Sequence, residues 1–405
     1  MTHGFMKTLV DRFNMLWFVM ALGLGGTSVA GFAVLNYMFP RPEGMKGLVS
    51  AHTLGPHAES LGGSSQALFQ YMQVHIATFG LLHIAALALV FGLFVAWRRK
   101  HPERYRELRQ DTTRNAVTIA PALALGMTFN VLLTGGAFYS PWVNGNMQQV
   151  MGLGLAVWGA LFLYTMFLAL RIQKTYLEKG FDVLKMHFGW LLIPFALAMT
   201  AVSGSGIAAL AKDPMIAKSA FMLALIPFTM AGFLGLVKLV SVFRSQYRLG
   251  RPERIEFLPS FFVIIPIVTL LAITLFRFGH FFDHHYAGHL PEAYYVLVTA
   301  GGWAFQLWYL ALGVLLLGAY FKNNLFSMKY FDESQWSLIC PMVALSVLGT
   351  FVYKTTLSSP VVFAIVLLFT VLDVVVIAWI ASRQYMALVS RSRERIEVPA
   401  SSVQA

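Results

Sequence analysis

The chain has 405 residues, 58% of them hydrophobic and only 12% charged. A soluble domain usually carries about 25% charged residues, so this sequence lacks the polar surface to coat a water-soluble globule, and a mean hydropathy of +0.66 agrees. The single cysteine, Cys340, excludes an intrachain disulfide scaffold, and the composition excludes disorder and fibrous repeats.

Ten segments are apolar for long enough to cross a hydrocarbon core of about 30 Å: 13–38, 73–97, 115–138, 147–170, 186–210, 217–243, 257–282, 293–321, 335–357 and 359–382. The first is too long, and lacks the small-residue cleavage site, to be a cleavable signal. The expected fold is therefore an all-α integral membrane protein, with ten transmembrane helices arranged as five helical hairpins. Residues 1–12 form an N-terminal segment, 13–385 the membrane domain, with a long loop at 40–72, and 386–405 a tail.

The net charge of +12 on a soluble protein would suggest nucleic acid. Here the cations alternate along the chain. Arg98, Arg99, Lys100, Arg104, Arg106, Arg109 and Arg114 follow segment two. Arg171, Lys174, Lys179 and Lys185 follow segment four, and Arg244, Arg248, Arg251 and Arg254 follow segment six. Lys322 and Lys329 follow segment eight; Arg383, Arg391, Arg393 and Arg395 lie in the tail, and Lys7 and Arg12 at the N-terminus. The other connections hold only Arg41, Lys46, Lys212, Lys218 and Lys354. The positive-inside rule then places both termini in the cytoplasm, beneath the inner (plasma) membrane. The charge orients the chain in the bilayer; the run RRKHPERYRELRQ reads as an anchor beside anionic lipid, with no nucleic-acid partner.

Pro121, Pro194, Pro266 and Pro341 are expected in the middle of spans three, five, seven and nine, at intervals of about 72–75 residues. Small and hydroxyl residues follow each, and segment one has Gly23, Gly25, Gly26, Thr27 and Ser28 instead. A proline within a span frees a backbone carbonyl and kinks the helix, and the freed groups need neighbours or a water-filled cavity. Proline-kinked odd helices are thus expected to form an inner ring around a central pore. Thr128, Thr200, Ser203 and Ser346 would replace part of an ion's hydration shell. The even segments, richer in Leu, Val and Phe, suit lipid.

This arrangement resembles the tellurite-resistance/dicarboxylate transporter family, which includes the plant slow anion channels. The most specific match is Gln335-Trp336-Ser337-Leu338-Ile339-Cys340-Pro341-Met342, followed by Ser346, Thr350, Tyr353 and Lys354; Trp17 to Ala30 resembles the family's first helix. The resemblance implies a homotrimer with a pore in each protomer, selective for small anions (inorganic or small carboxylates) by pore size and desolvation. It also implies a phenylalanine gate just before the span-nine proline, where this chain has Cys340. A cysteine cannot plug the same opening, so either the path is freer or another aromatic, Phe195 or Phe129, fills it.

Ionisable groups within spans tend to mark function. Arg277 and Lys354, near the outer ends of segments seven and nine, are expected to attract anions toward a path with scarcely any acid. Asp373 in segment ten would serve a proton-coupled exporter, and Lys238 reads as a snorkelling side chain. His75 and His83 on segment two, and the cluster His280, Asp283, His284, His285 and His289, raise a haem or quinone redox subunit as a second reading. No second helix supplies an axial mate, and His187 lies far from His75, so no cofactor or metal is assigned. No phosphate loop, carboxylate pair or nucleophile triad indicates an enzyme. The loop 40–72 is a candidate cap over the outer mouth.

Overall fold

A bilayer core offers no water to backbone N–H and C=O groups, so long apolar segments must satisfy them internally as helices. The computed structural model describes residues 2–45, 47–180, 182–250, 255–327 and 331–396. Lys46, Arg251, Arg254 and Lys329, used above for topology, lie outside the described residues. In chain order the helices are α1 (Thr2–Asp11), α2 (Trp17–Tyr37), α3 (Ala51–Leu61), α4 (Gly63–Lys100), α5 (Pro102–Gln110), α6 (Ala120–Tyr139), α7 (Pro141–Gly145) and α8 (Met147–Lys179). Then come α9 (Leu192–Leu210), α10 (Pro214–Leu249), α11 (Ile264–His285), α12 (Glu292–Tyr320), α13 (Ile339–Thr355) and α14 (Pro360–Ile396). Ten are long and apolar enough to span a membrane, and no strand occurs among the described residues.

Five spanning helices form a closed inner ring in sequence order: α2 packs on α6, α6 on α9, α9 on α11, α11 on α13, and α13 back on α2. Each is followed by an outer helix that packs on it and on the next inner one, as α4 does on α2 and α6. The most apolar windows of the inner spans are 61–100% buried, those of the outer spans 28–33%. The outer helices present the exposed large side chains, such as Leu81, Leu153, Phe233, Leu315 and Val361, which suit acyl chains.

The prolines act differently from the expected mid-span kink. Short 3₁₀ segments, Asn115–Ile119, Phe188–Leu191, Ile255–Val263 and Glu333–Leu338, lead into α6, α9, α11 and α13. Pro121, Pro194, Pro266 and Pro341 fall in the first turn of the α-helix that follows. There a missing N–H costs no i→i−4 bond and the fixed φ favours helix entry, so the prolines mark a change of helix type. The proline inside a spanning α-helix is Pro227 on the outer helix α10.

Small residues let the rings close. A Cβ on Gly25 would lie 2.6 Å from Met127 Cγ and 2.8 Å from His83 Nδ1. That gap admits His83, whose Nδ1 donates to the Ala21 carbonyl at 2.7 Å while Nε2 sits 2.9 Å from the Thr128 hydroxyl. Trp158 Nε1 on α8 donates to Thr200 O at 2.9 Å, and Trp303 Nε1 on α12 to Leu345 O at 3.0 Å, both across 42 residues. The same outer-to-inner strut thus recurs in two repeats.

The connection expected at 40–72 is shorter. Helix α4 starts at Gly63, and α3 occupies much of the rest, its N-terminus closed by a Ser50–Thr53 capping box. Val49 and Leu54 are fully buried, and Asn36 Oδ1 accepts from Val49 N at 3.2 Å. Lys238, expected to snorkel, and Arg383, used for topology, both have structural work. Lys238 is buried, its Nζ 4.8 Å from the Tyr176 ring and 5.3 Å from the Trp190 ring, so it packs inward and does not snorkel. Arg383 is 2% exposed and donates to Leu325 O, Asn324 O, Ser327 O and Gln335 Oε1.

Candidate functional site

The inner helices all run from the end of the molecule that carries the cation clusters toward the far end. Inside their ring lies a cavity of about 130 Å³, lined by α2, α6, α9, α11 and α13 together with Leu48 from the loop before α3. A wider vestibule of about 530 Å³ opens at the basic end. The two spaces share no lining residue. Val19, Leu192, Val263 and Ser337 face the vestibule, and Leu22, Phe195, Pro266 and Cys340, each three residues on, face the cavity. Three residues of helix rise roughly 4.5 Å, so the layer between them is about one turn thick.

Of the residues singled out from the sequence, Cys340, Phe195, Ser203 and Arg277 line the cavity. Thr128, Thr200 and Ser346 do not. Thr128 meets His83 of α4, Thr200 donates to the Thr165 hydroxyl of α8 at 3.2 Å, and Ser346 lies 2.7 Å from the Thr370 hydroxyl of α14. In an apolar medium each hydroxyl takes the nearest polar partner, and for these three it is on an outer helix. Phe129 packs against α8, near Gly154, and so does not fill the gate position. Pro341 sits beside Cys340 and, unlike Pro266, is not in the lining. Lys354 is exposed at the far end and apart from Arg277. Asp373 is fully buried between α14 and α2, facing Thr27, outside the cavity.

The far half of the cavity is its polar half. Arg277 extends from α11 to donate through Nη1 to the Val202 carbonyl of α9 at 2.7 Å. Asn130 comes from α6 and donates to Ser203 Oγ on the same turn of α9 at 3.0 Å. Tyr37 and Thr134 complete this part of the wall. Arg277 is the one charged side chain lining the cavity among the described residues, and no carboxylate pairs with it there. Sequence reading missed Asn130; a carboxamide in the middle of an apolar span was the available signal, since such a group needs partners. The near half is mostly apolar, with Leu22, Met127, Phe195, Met199 and Val343; its hydroxyl, Thr269, is bonded to the Ala344 carbonyl at 3.2 Å. At the outer end the Tyr37 and Phe351 rings pack with centroids 4.3 Å apart.

The vestibule departs from the expectation of a path with scarcely any acid. Asp11, Glu107, Asp111, Glu256 and Asp332 line it alongside Arg12, Arg104 and Arg114. Asp11 accepts from Lys100 Nζ at 2.5 Å and lies 3.1 Å from His101 Nε2; these partners hold its carboxyl down at about 2 and tie α1 to the end of α4.

The histidines of α4 are engaged in packing, whereas His284 and His289 of the outer cluster are exposed. His75 Nε2 donates to Thr27 O at 3.0 Å, and His83 uses both nitrogens as described. His285 Nε2 lies 3.1 Å from Ala211 O, and Asp283 accepts from Tyr295 Oη and from Leu290 N. Among the described residues no three His, Cys, Asp or Glu groups are grouped to hold a metal.

A double ring of ten membrane-spanning helices around an axial cavity defines a multi-pass membrane protein of the channel and transporter type. The sequence model of the voltage-dependent anion channel family matches residues 12–384, and the chain belongs to that family. Anion transport is therefore its general class of activity. Among individually curated proteins none matches the chain.

Proposed function

We propose that the chain carries small anions across the inner membrane through the cavity enclosed by its five inner helices, passively, with both termini in the cytoplasm. The observation that carries this reading is Arg277: one cation without an acid partner, in the wall of an axial cavity lined otherwise by neutral groups. A fixed positive charge in a low-dielectric wall attracts anions and repels cations. The polar groups around it, Asn130, Ser203, Thr134 and Tyr37, replace part of the lost hydration. The layer between vestibule and cavity is the constriction, and Phe195 is its bulkiest side chain, in place of an aromatic at Cys340. Leu48 and the short helix α3 form a partial cap at the outer mouth. The charge alternation orients the basic end to the cytoplasm, and the exposed apolar outer helices meet lipid and, in a homotrimer, neighbouring protomers.

Purified protein in liposomes tests the reading. Wild-type protein is expected to pass anions down their gradients with no added cofactor, and Arg277→Gln to lower that flux. Cation flux of equal size, or none of either sign, contradicts it.

A further inference from the structure

The charge in the cavity lies at its outer end. Arg277 is the outermost cavity-lining residue of α11 and Pro266 the innermost; Tyr37, Asn130, Thr134 and Ser203 lie toward Arg277, and Thr269 lies toward Pro266. Phe195, Met199 and Met127 wall the opposite half. The cavity, about 130 Å³, has room for more than one water-sized guest, so a bare halide would leave part of it unfilled. Nη1 is held by the Val202 carbonyl, which fixes the guanidinium plane. A guanidinium has five N–H donors in a rigid fork that matches two oxygens of one carboxylate.

We infer that the cavity takes a small monocarboxylate, its carboxylate on the free donors of Arg277 and its short apolar body against Phe195, Met199 and Met127. This names the substrate class of the site and rests on the transport reading above. The same geometry discriminates against neighbours in chemistry. Chloride meets the fork with one atom where a carboxylate brings two oxygens, and it has no body for the apolar half to hold. A dicarboxylate brings a second charge to a wall with no second cation, where an unpaired buried charge costs several kcal/mol.

The test is a bi-ionic reversal potential in planar bilayers at about pH 8, where carboxylates are ionised, with chloride on one side and propionate or succinate on the other. Wild-type protein is expected to pass propionate more readily than chloride, and succinate less readily than either. Arg277→Lys keeps the charge and removes the fork; the propionate-to-chloride ratio should fall about tenfold, as expected for losing one charge-assisted hydrogen bond. An unchanged ratio in that variant, or succinate passing as well as propionate in the wild type, overturns the inference while leaving anion transport standing. If the lysine variant carries no current, the wild-type order of propionate and succinate decides alone. If no anion passes through the wild type, the transport reading fails and this inference with it.

Discussion

Arg277 on α11 donates to the Val202 carbonyl on α9, 2.7 Å away, across the wall of the central cavity. The bond spends one donor on the scaffold and leaves the charge in the path. Reversing that charge is the sharpest electrostatic change available. An acid about 6 Å from a passing anion, at an effective dielectric of about 20, opposes it by roughly 3 kcal/mol. Arg277→Glu should therefore cut anion conductance on the order of a hundredfold and move the reversal potential in a salt gradient toward the cation value.

The constriction should respond to side-chain volume. Phe195 and Cys340 face the cavity from α9 and α13 at its inner end. Cys340→Phe is expected to reduce flux about tenfold, and Phe195→Ala to raise it. The double variant should recover flux toward wild type, since neighbouring size changes compensate. Stopped-flow liposome assays with matched protein loading measure all three.

His83 is a strut, and its loss should show in stability. Removing it strips the Ala21 carbonyl and the Thr128 hydroxyl of a buried partner, at a cost of about 1–3 kcal/mol. His83→Ala should lower the melting temperature in detergent, with flux per folded protein little changed. A redox role would instead appear as a visible absorption band in purified protein that the substitution removes.

Asp373 lies between α14 and α2, outside the cavity. Asp373→Asn is expected to leave both anion flux and its pH profile unchanged. A flattened pH profile in that variant would favour proton coupling over passive flow.

Asp11 gives an acid-sensitive contact at the basic end. Its hydrogen bonds to Lys100 and His101 lower its pKa from 3.8 to about 2. A depressed carboxylate stabilises the docked state above the unfolded pKa and loses that contribution as pH falls through the folded one. Docking of α1 on α4 should thus hold above about pH 4 and weaken between pH 4 and 2, read as lower hydrogen-exchange protection within α1 relative to the intrinsic rate at each pH.

Much of the architecture was legible from composition and period. Ten apolar segments became ten spanning helices, and the small residues of alternate segments marked the inner ring, because close helix approach selects Gly, Ala, Ser and Thr. The orientation of individual hydroxyls was not legible. Thr128, Thr200 and Ser346 turn toward His83, Thr165 and Thr370, and that choice depends on partners on other helices at the same depth. The prolines misled for a local reason: hydropathy includes the 3₁₀ lead-ins within each span, so Pro194, near the start of an α-helix, reads as the middle of a longer one. Asn130 went unremarked because one amide barely changes a window of apolar residues. Arg277 stood out because a charge there is rare.

The most direct test of the account is ion-substitution flux through purified protein in liposomes, across chloride, nitrate and small carboxylates, with and without Arg277. The account expects anion-selective flux in the wild type that falls when Arg277 is replaced by Gln in correctly folded protein. Flux indifferent to that substitution, or selective for cations, would contradict it.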